Sequence, residues 1–287
     1  MSEIGNIQWF PGHMTKTRRL IEADIKMVDA VVEITDARIP ESSRNPILDE
    51  LVGSKPRIMI LNKCDYADDA STAIWRRYYE DRGITVITCD CRSGKGINKF
   101  LPTVKTLLKE LIERRKARGM IGKALRLMVV GIPNVGKSSF INRMANSRKT
   151  KVGDRPGVTR GKQWVSIDKD VELLDMPGIL WPKFDDQLAA QRLAFTGAIK
   201  DEVTDSEALA RALGELLQKD YPELLKARYK ISCDGDILTE IAKARGMLIS
   251  GGEPDTERAA AALLDEYRGG KIGKITLETP QEPGDAS

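Results

Sequence analysis

Long apolar runs and paired cysteines are both scarce in this sequence of 287 residues, and histidine occurs only once. No stretch approaches the roughly 18 to 20 consecutive apolar residues of a membrane span, and the polar start lacks the apolar core of a secretory signal. The four cysteines are too few and too irregularly spaced for a disulfide framework, and Cys89-x-Cys91 has no second pair to complete a zinc site. We therefore expect reduced thiols, no membrane partner and a cytoplasmic location.

The composition, 41% hydrophobic and 31% charged, is that of a folded protein with one large core or two modest ones. Its charge is unevenly distributed. Residues 1–199 carry 34 basic and 24 acidic side chains, whereas residues 200–287 carry 12 and 18. The positive charge is densest in Lys105, Lys109, Arg114, Arg115, Lys116, Arg118, Lys123 and Arg126. Such a cluster is either a solvated helix face or a contact for nucleic acid, and charge alone leaves both open.

Apolar runs that end in polar motifs dominate the first part of the chain. They cover residues 29–40, 56–65, 84–90, 125–134 and 171–178, and each is typical of a buried strand that leads into a functional loop. Residues 70–83 and 98–119 show the spacing of amphipathic helices between them. Strands that alternate with helices predict an α/β fold with a parallel sheet covered on both faces.

Beyond residue 182 the pattern becomes helical. Residues 185–201, 205–220, 236–247 and 255–270 are rich in alanine and leucine and start near aspartate, which is a good residue for a helix N-cap. We predict two domains, an α/β domain at 1–183 and a compact domain of four or five helices at 184–287, the latter ending in a loose tail from residue 279.

A phosphate-binding loop is predicted by Gly131-x-x-x-x-Gly136-Lys137-Ser138, which follows an apolar run and precedes a plausible helix. Backbone N–H groups near the glycines can surround a β-phosphate, Lys137 can reach the β- and γ-phosphates, and the Ser138 hydroxyl can ligate Mg²⁺. The candidate contacts in this loop are Asn134, Val135, Gly136, Lys137, Ser138 and Ser139.

Two downstream stretches are candidates for sensing the γ-phosphate. Asp175-x-x-Gly178 follows an apolar run, so Asp175 can orient Mg²⁺ through a water and the Gly178 N–H can contact the γ-phosphate. Thr159, in a glycine-containing stretch, is the candidate hydroxyl that closes on Mg²⁺ when the γ-phosphate is present. A simple turn residue remains the alternative for Thr159.

Asn62-Lys63-x-Asp65 predicts which base is bound. The Asp65 carboxylate can accept hydrogen bonds from N1–H and the 2-amino group of guanine, and adenine has neither donor. Asn62 can brace the loop and touch the edge of the base, and the aliphatic stem of Lys63 can lie over the ring. Residues 90–96 form a candidate second guanine loop, in which the N–H groups of Cys91 and Arg92 face the base.

The order of these motifs is unusual because the guanine segments precede the phosphate loop. In a parallel sheet all such loops emerge at the carboxyl edge, so chain order matters less than which strands are neighbours. The sequence therefore predicts a circularly permuted GTPase domain. Its last nucleotide-sensing loop, which begins at Asp175, leads directly into the helical domain, and this arrangement suits a regulatory protein better than a metabolic enzyme.

The chain resembles the YlqF/YawG family of circularly permuted GTPases. The resemblance rests on residues 8–19 (QWFPGHMTKTRR), 36–46 (DARIPESSRNP) and 269–278 (GGKIGKITLE), together with NKCD, GIPNVGKSS, PGVTRG and DMPGILWPKF. It implies GTP hydrolysis, with GTP or GDP and Mg²⁺ bound, coupled to late assembly of the large ribosomal subunit. The implied partners are the precursor of that subunit and its RNA, which the C-terminal helical domain at 184–287 and the basic surface would engage. We expect a monomer away from the ribosome.

The resemblance also implies how hydrolysis proceeds. Ile179 stands where Ras-like GTPases have the glutamine that orients water, and an apolar side chain cannot do this. By family analogy His13 positions the water once the ribosome orders its segment, although a lone histidine is more often structural. Lys137 and Thr159 complete the candidate catalytic set, and Asn134 resembles the residue through which related GTPases bind K⁺.

Two other functions remain open at this stage. The first is a guanine-nucleotide-regulated RNA-binding module in which turnover is incidental, an alternative that Ile179 supports. The second is a GTPase of tRNA modification or membrane traffic, which is less favoured because the sequence shows no lipidation motif and no modification domain. The acidic balance of residues 200–287 leaves two possibilities for the RNA contact. Either the helical domain has a local basic face, or the basic stretches of the GTPase domain make more of the contact. The candidates for a basic face in the helical domain are Lys226, Arg228, Lys230, Lys243 and Arg245.

Overall fold

The computed structural model describes residues 14–120, 122–146, 162–178, 187–199 and 205–280. The chain forms two compact units. The sheet unit contains the described residues up to 178 together with 278–280, and the helical unit contains those from 187 to 277. The predicted fold class, an α/β domain followed by an all-helical one, is confirmed. One detail differs from expectation, since 278–280 group with the sheet unit instead of the helical unit.

A six-stranded sheet with the order β3-β2-β1-β4-β6-β5 is the centre of the sheet unit. Its strands are β1 (Ala30–Asp36), β2 (Arg57–Asn62), β3 (Thr85–Thr88), β4 (Leu125–Val130), β5 (Gln163–Asp168) and β6 (Val171–Asp175). All neighbours are parallel except β5, which runs antiparallel to β6 at the edge. The sequence predicted the five parallel strands and missed β5. Much of β5 is exposed, so it lacks the continuous apolar run that marked the others.

Helices cover the sheet. They are α1 (Met14–Ile25), α2 (Ile47–Val52), α3 (Asp69–Glu80), α4 (Phe100–Leu107), α5 (Lys109–Ala117) and α6 (Lys137–Asn146). All seven residues of β1 are buried, which requires packing on both faces. One core cluster joins α1 and α2 to β1, β4 and β6, and a second joins Trp75 and Tyr79 of α3 to β2. The helix predicted over 98–119 is interrupted at Leu108, between α4 and α5.

The carboxyl edge of the parallel strands gathers the polar motifs. β1, β2, β4 and β6 end at Asp36, Asn62, Val130 and Asp175, and β3 ends at Thr88. The registers pair Asp36 with Asn62 and Val129 with Asp175, so these ends lie side by side. Loops far apart in sequence therefore meet at one edge.

The helical unit consists of α7 (Gln187–Phe195), α8 (Ser206–Asp220), α9 (Pro222–Tyr229), α10 (Ile237–Ala244) and α11 (Thr256–Arg268). The expected aspartate caps are present, because Asp205, Asp236 and Asp255 accept backbone N–H groups at the starts of α8, α10 and α11. α9 had no pattern of its own in the sequence and begins instead at a proline. Within the described ranges, no helix combines the length and apolar character needed to cross a membrane.

Candidate nucleotide-binding site

The phosphate loop lies between β4 and α6, in the strand, loop and helix context that its motif requires. Asn134 and Gly136 have positive φ values of 62° and 96°. A side chain at Gly131 would place its Cβ 2.7 Å from the Ile34 carbonyl oxygen, and one at Gly136 would overlap the Asn62 amide nitrogen. Glycine is therefore needed at both positions, since the loop packs directly against the ends of β1 and β2.

Lys137, Asp175 and Gly178 converge beside this loop. Lys137 is 8% exposed, and burial lowers the pKa of its ammonium group while the charge of Asp175 opposes that shift. Among the described residues no carboxylate lies within ion-pair distance of the ammonium nitrogen. A Cβ built on Gly178 would lie 3.4 Å from that nitrogen. A buried cation of this kind fits a site for phosphate.

Asn62 joins three of the predicted nucleotide loops through one side chain. Its Nδ2 donates to the Val135 carbonyl oxygen of the phosphate loop at 2.6 Å, and its Oδ1 accepts the Cys91 N–H at 2.9 Å. Both ends of the amide are thus used, and the side chain is 3% exposed. The expectation that Asn62 braces the loop agrees with these contacts.

Lys63 is fixed by residues that our sequence analysis did not place in the site. It has a positive φ of 60°, and its ammonium group donates to Asp36 Oδ2 at 2.8 Å. Asp36 also binds the buried Arg38 guanidinium through both carboxylate oxygens. Burial alone would raise the pKa of Asp36, but the charges of Arg38 and Lys63 outweigh it and hold that pKa far below its usual range. Asp36 and Arg38 therefore belong to the site, although neither was among the predicted site residues. In the sequence, only the family motif at residues 36–46 pointed to them.

Asp65 offers an acceptor that the described part of the protein leaves unused. Its Oδ1 is buried and accepts no hydrogen bond from the described residues. Burial raises the pKa of this carboxyl group, and the neighbouring charge of Asp90 adds to that shift. A buried carboxylate oxygen without a donor is costly unless a ligand supplies one, which fits the predicted role in guanine binding.

Residues 90–96 form a turn that the protein stabilises from within. The Cys91 N–H donates to Asn62 Oδ1, and the Arg92 N–H donates to Asp90 Oδ1 at 2.7 Å. The expectation that these two N–H groups face the base therefore needs correction, because both already have protein acceptors. Arg143 of α6, which the sequence did not single out, donates to the carbonyl oxygens of Cys91 and Arg92 and ties this loop to the helix behind the phosphate loop.

The residues near Lys137 include oxygen ligands that could help to hold a Mg²⁺ ion. In the described ranges no group of three or more histidine, cysteine or acidic side chains could hold a metal ion alone. Mg²⁺ in nucleotide sites usually takes only one or two protein ligands and completes its shell with phosphate oxygens and water. Ser138 at the start of α6 and the buried Asp175 suit that chemistry. His13, Thr159 and Ile179 lie outside the described residues.

A phosphate loop, an Asn-Lys-x-Asp loop and an Asp-x-x-Gly loop at one sheet edge, with the guanine motif first in the chain, define a circularly permuted phosphate-loop GTPase. Comparison with known proteins agrees. Residues 126–221 match the family model described as "50S ribosome-binding GTPase". The chain is 46% identical over 283 residues to "Ribosome biogenesis GTPase A" of Bacillus cereus, covering 97% of this chain and 96% of that protein. The Thermotoga maritima protein of the same name is 34% identical, and the alignment covers 96% of this chain and 95% of that protein.

Solved structures give the same result. The GDP-bound structure of TM YlqF aligns with a TM-score of 0.64 and 28% identity, over 92% of this chain and all of that one. GNP-bound YlqF from T. maritima aligns with a TM-score of 0.63 and 30% identity, over 93% of this chain and 99% of that one. This chain belongs to the ribosome biogenesis GTPase A family. It is a GTP hydrolase with a guanine-nucleotide site.

Proposed function

We propose that this GTPase acts in late assembly of the large ribosomal subunit, where the precursor particle stimulates GTP hydrolysis and hydrolysis is coupled to maturation and release. The observation that carries the proposal is the junction made by Asn62, which brings the guanine loops and the phosphate loop into one site in a chain that is 46% identical to a ribosome biogenesis GTPase. A cytoplasmic location and a monomer away from the ribosome are part of the same proposal.

Guanine recognition rests on Asp65 and the residues that hold its loop. The free Oδ1 of Asp65 is available to N1–H or the 2-amino group of guanine. Lys63 cannot reorient freely because Asp36 holds its ammonium group, so its aliphatic stem is the part left to cover the ring. Cys91 and Arg92 contribute by shaping the second loop around Asn62 and Asp90, through the hydrogen bonds that their N–H groups donate.

The phosphates are bound by the loop from Asn134 to Ser139. Lys137 supplies the charge for the β- and γ-phosphates, and the Gly178 N–H is available to the γ-phosphate. Ser138, Asp175 and Thr159 are the proposed Mg²⁺ ligands, direct or through water. When bound, the ion neutralises negative charge that develops on the phosphate oxygens.

Water activation is assigned to His13 because Ile179 cannot orient a water molecule. Stimulation by the particle then follows if contact with the ribosome brings His13 to the attacking water. The proposal includes a K⁺ ion at Asn134, a residue of the phosphate loop whose φ is 62°.

The RNA contact is assigned to the basic helix α5 and the turn after it. Of the eight basic residues at 105–126, four are engaged by acidic side chains: Lys105 by Asp168, Lys109 by Glu113, Arg115 by Asp29 and Arg126 by Glu172. Arg114, Lys116, Arg118 and Lys123 are exposed and have no ion pair among the described residues. Exposed cations without carboxylate partners are the ones that phosphate groups can neutralise.

The alternative basic face in the helical unit is largely neutralised. Arg228 and Arg245 both bind Glu266, and Lys226 pairs with Glu223. Only Lys230 and Lys243 of that set are exposed without an ion pair in the described part of the chain. This comparison favours the sheet unit as the main RNA contact.

The test measures binding to the purified precursor of the large subunit at several salt concentrations. A variant with Arg114→Glu, Lys116→Glu and Arg118→Glu should bind more weakly, with a salt slope reduced by about 0.7 to 0.9 for each phosphate group that the protein no longer neutralises. The matched control is Lys230→Glu with Lys243→Glu, which we expect to bind nearly as well as the wild type. Weaker binding by the Lys230→Glu, Lys243→Glu variant than by the triple variant would instead assign the RNA contact to the helical unit.

A second candidate is a guanine-nucleotide-regulated RNA-binding module whose turnover is incidental, and Ile179 is the observation that favours it. The two candidates differ in one measurement, the GTP turnover rate with and without the precursor particle. The proposed function requires a clear increase with the particle. Binding of the particle without an increase would support the binding module.

A further inference from the structure

Glu278 connects the end of the described chain to the sheet unit. Its side chain is 5% exposed, and its carboxylate accepts the N–H groups of Glu41 and Ser42, at 2.8 and 3.1 Å, and the Ser42 hydroxyl. Its carbonyl oxygen accepts Trp75 Nε1–H at 2.9 Å. The next residue toward the N-terminus, Leu277, already groups with the helical unit. Glu278 is therefore the first residue after the helical unit that belongs to the sheet unit.

The loop that Glu278 holds, residues 37–44, also supports the guanine motif. At its start, the Ala37 N–H donates to the Asn62 carbonyl oxygen at 2.8 Å. In its middle, Ser43 Oγ accepts the Asp36 N–H at 2.9 Å and donates to the Ile39 carbonyl oxygen at 2.6 Å. The loop thus reaches from Glu278 to Asp36, the residue that binds Lys63.

The loop has no regular secondary structure, so side-chain contacts fix its conformation. A carboxylate that accepts backbone N–H groups makes charge-assisted hydrogen bonds, which are roughly twice as strong as neutral ones. Ser42 is 6% exposed, so its N–H group, which Glu278 accepts, has little access to water. Removing the charge at Glu278 should let the loop sample other conformations.

We propose that Glu278 is a positioning residue for guanine binding: it fixes loop 37–44, and the loop fixes Asp36 and Lys63 beside the base. The inference rests on the proposed guanine contact of the 62–65 loop. It assigns to the chain segment after the helical unit an influence on nucleotide affinity that acts through loop 37–44.

The experiment uses the full chain and measures the dissociation rate and the Kd of a fluorescent GDP derivative. Glu278→Gln keeps the size of the side chain and removes its charge. We expect roughly threefold to tenfold weaker GDP binding, mostly through faster dissociation. Trp75→Phe, which removes the donor to the Glu278 carbonyl oxygen, should shift the Kd in the same direction. Glu110→Gln, at an exposed carboxylate of α5, should leave it unchanged.

A double-mutant cycle separates positioning from a general loss of stability. If Glu278 acts through the loop, then Glu278→Gln combined with Lys63→Ala should bind GDP no more weakly than Lys63→Ala alone. Additive effects would overturn the inference, as would a Glu278→Gln variant that melts at a lower temperature yet binds GDP with the wild-type Kd. The proposed function fails separately, if the wild-type protein shows no preference for GDP over ADP.

Discussion

The Asn62 side chain donates to the main-chain carbonyl oxygen of Val135 at 2.6 Å, which joins the guanine motif directly to the phosphate loop. The two residues are 73 positions apart in the chain. Asn62 ends β2 and Val135 lies in the loop after β4, and β1 lies between these two strands in the sheet. In this permuted fold the base loops and the phosphate loop therefore behave as one connected structure. A disturbance of either should affect the binding of the whole nucleotide.

The close packing at Gly136 makes this connection testable. Gly136→Ala would force a Cβ into Asn62 Nδ2 at a residue whose φ is 96°. We expect GTP affinity to fall at least about 30-fold, because strain and overlap each cost about 1 to 3 kcal/mol and together at least about 2 kcal/mol. The measurement is a GTP titration by fluorescence. Gly119→Ala is the matched control, since Gly119 also has a positive φ but has no atom within 4 Å of the position that a Cβ would take; equal losses in both variants would contradict the packing argument.

Base selection should depend on the carboxylate of Asp65. Asp65→Asn replaces an acceptor with a donor, so GTP affinity should fall by at least about 100-fold, the value of two hydrogen bonds to a charged group. Affinity for xanthosine triphosphate should rise at the same time, because xanthine carries a carbonyl oxygen in place of the 2-amino group. Competition between the two nucleotides measures this exchange. Asp68→Asn, at the cap of α3, tests whether any change near this loop has the same effect.

Much of this site could be predicted because each motif is local. Residues 62–65 and 131–138 each carry their chemistry within one short stretch, and both lie where a buried apolar strand ends. The five parallel strands were predictable for the same reason. β5 was not, because an exposed edge strand needs few apolar residues, and the interruption at Leu108 has no glycine or proline to signal it.

The supporting contacts could not be predicted because they join distant residues. Glu278 binds Ser42 across 236 positions, and Arg143 binds the carbonyl oxygen of Arg92 across 51. No period or spacing in a single sequence indicates such pairs, since any buried carboxylate or guanidinium has many potential partners. Asp36 shows the same limit, because its motif was visible in the sequence while its contact with Lys63 was not.

Hydrolysis should depend on His13 without nucleotide binding depending on it. His13→Ala is expected to keep the wild-type Kd for GTP and to lose most of the turnover that the precursor particle stimulates, since removing a group that positions water typically costs about 10² to 10⁴ in rate. Turnover at saturating particle concentration measures the effect. Unchanged stimulated turnover would remove His13 from the mechanism and leave water activation to another group.

The helical unit should lose stability in acid through Glu266. Burial alone would raise the pKa of this carboxyl group, but hydrogen bonds from Arg228 and Arg245 lower it to about 2. Since the folded-state pKa lies below the usual 4.5, the stabilisation is fully present above pH 4.5 and is lost as the pH falls toward 2. Glu266→Gln should therefore lower the free energy of unfolding by about 1 to 2 kcal/mol at pH 7, after allowance for solvent screening, and by progressively less below pH 4.5.

Thermal unfolding followed by circular dichroism at pH 7, 4.5 and 3 measures the difference, with Glu257→Gln on the exposed side of α11 as the control. A difference between wild type and Glu266→Gln that stays constant over this range would show that the two arginines do not stabilise the ionised carboxylate.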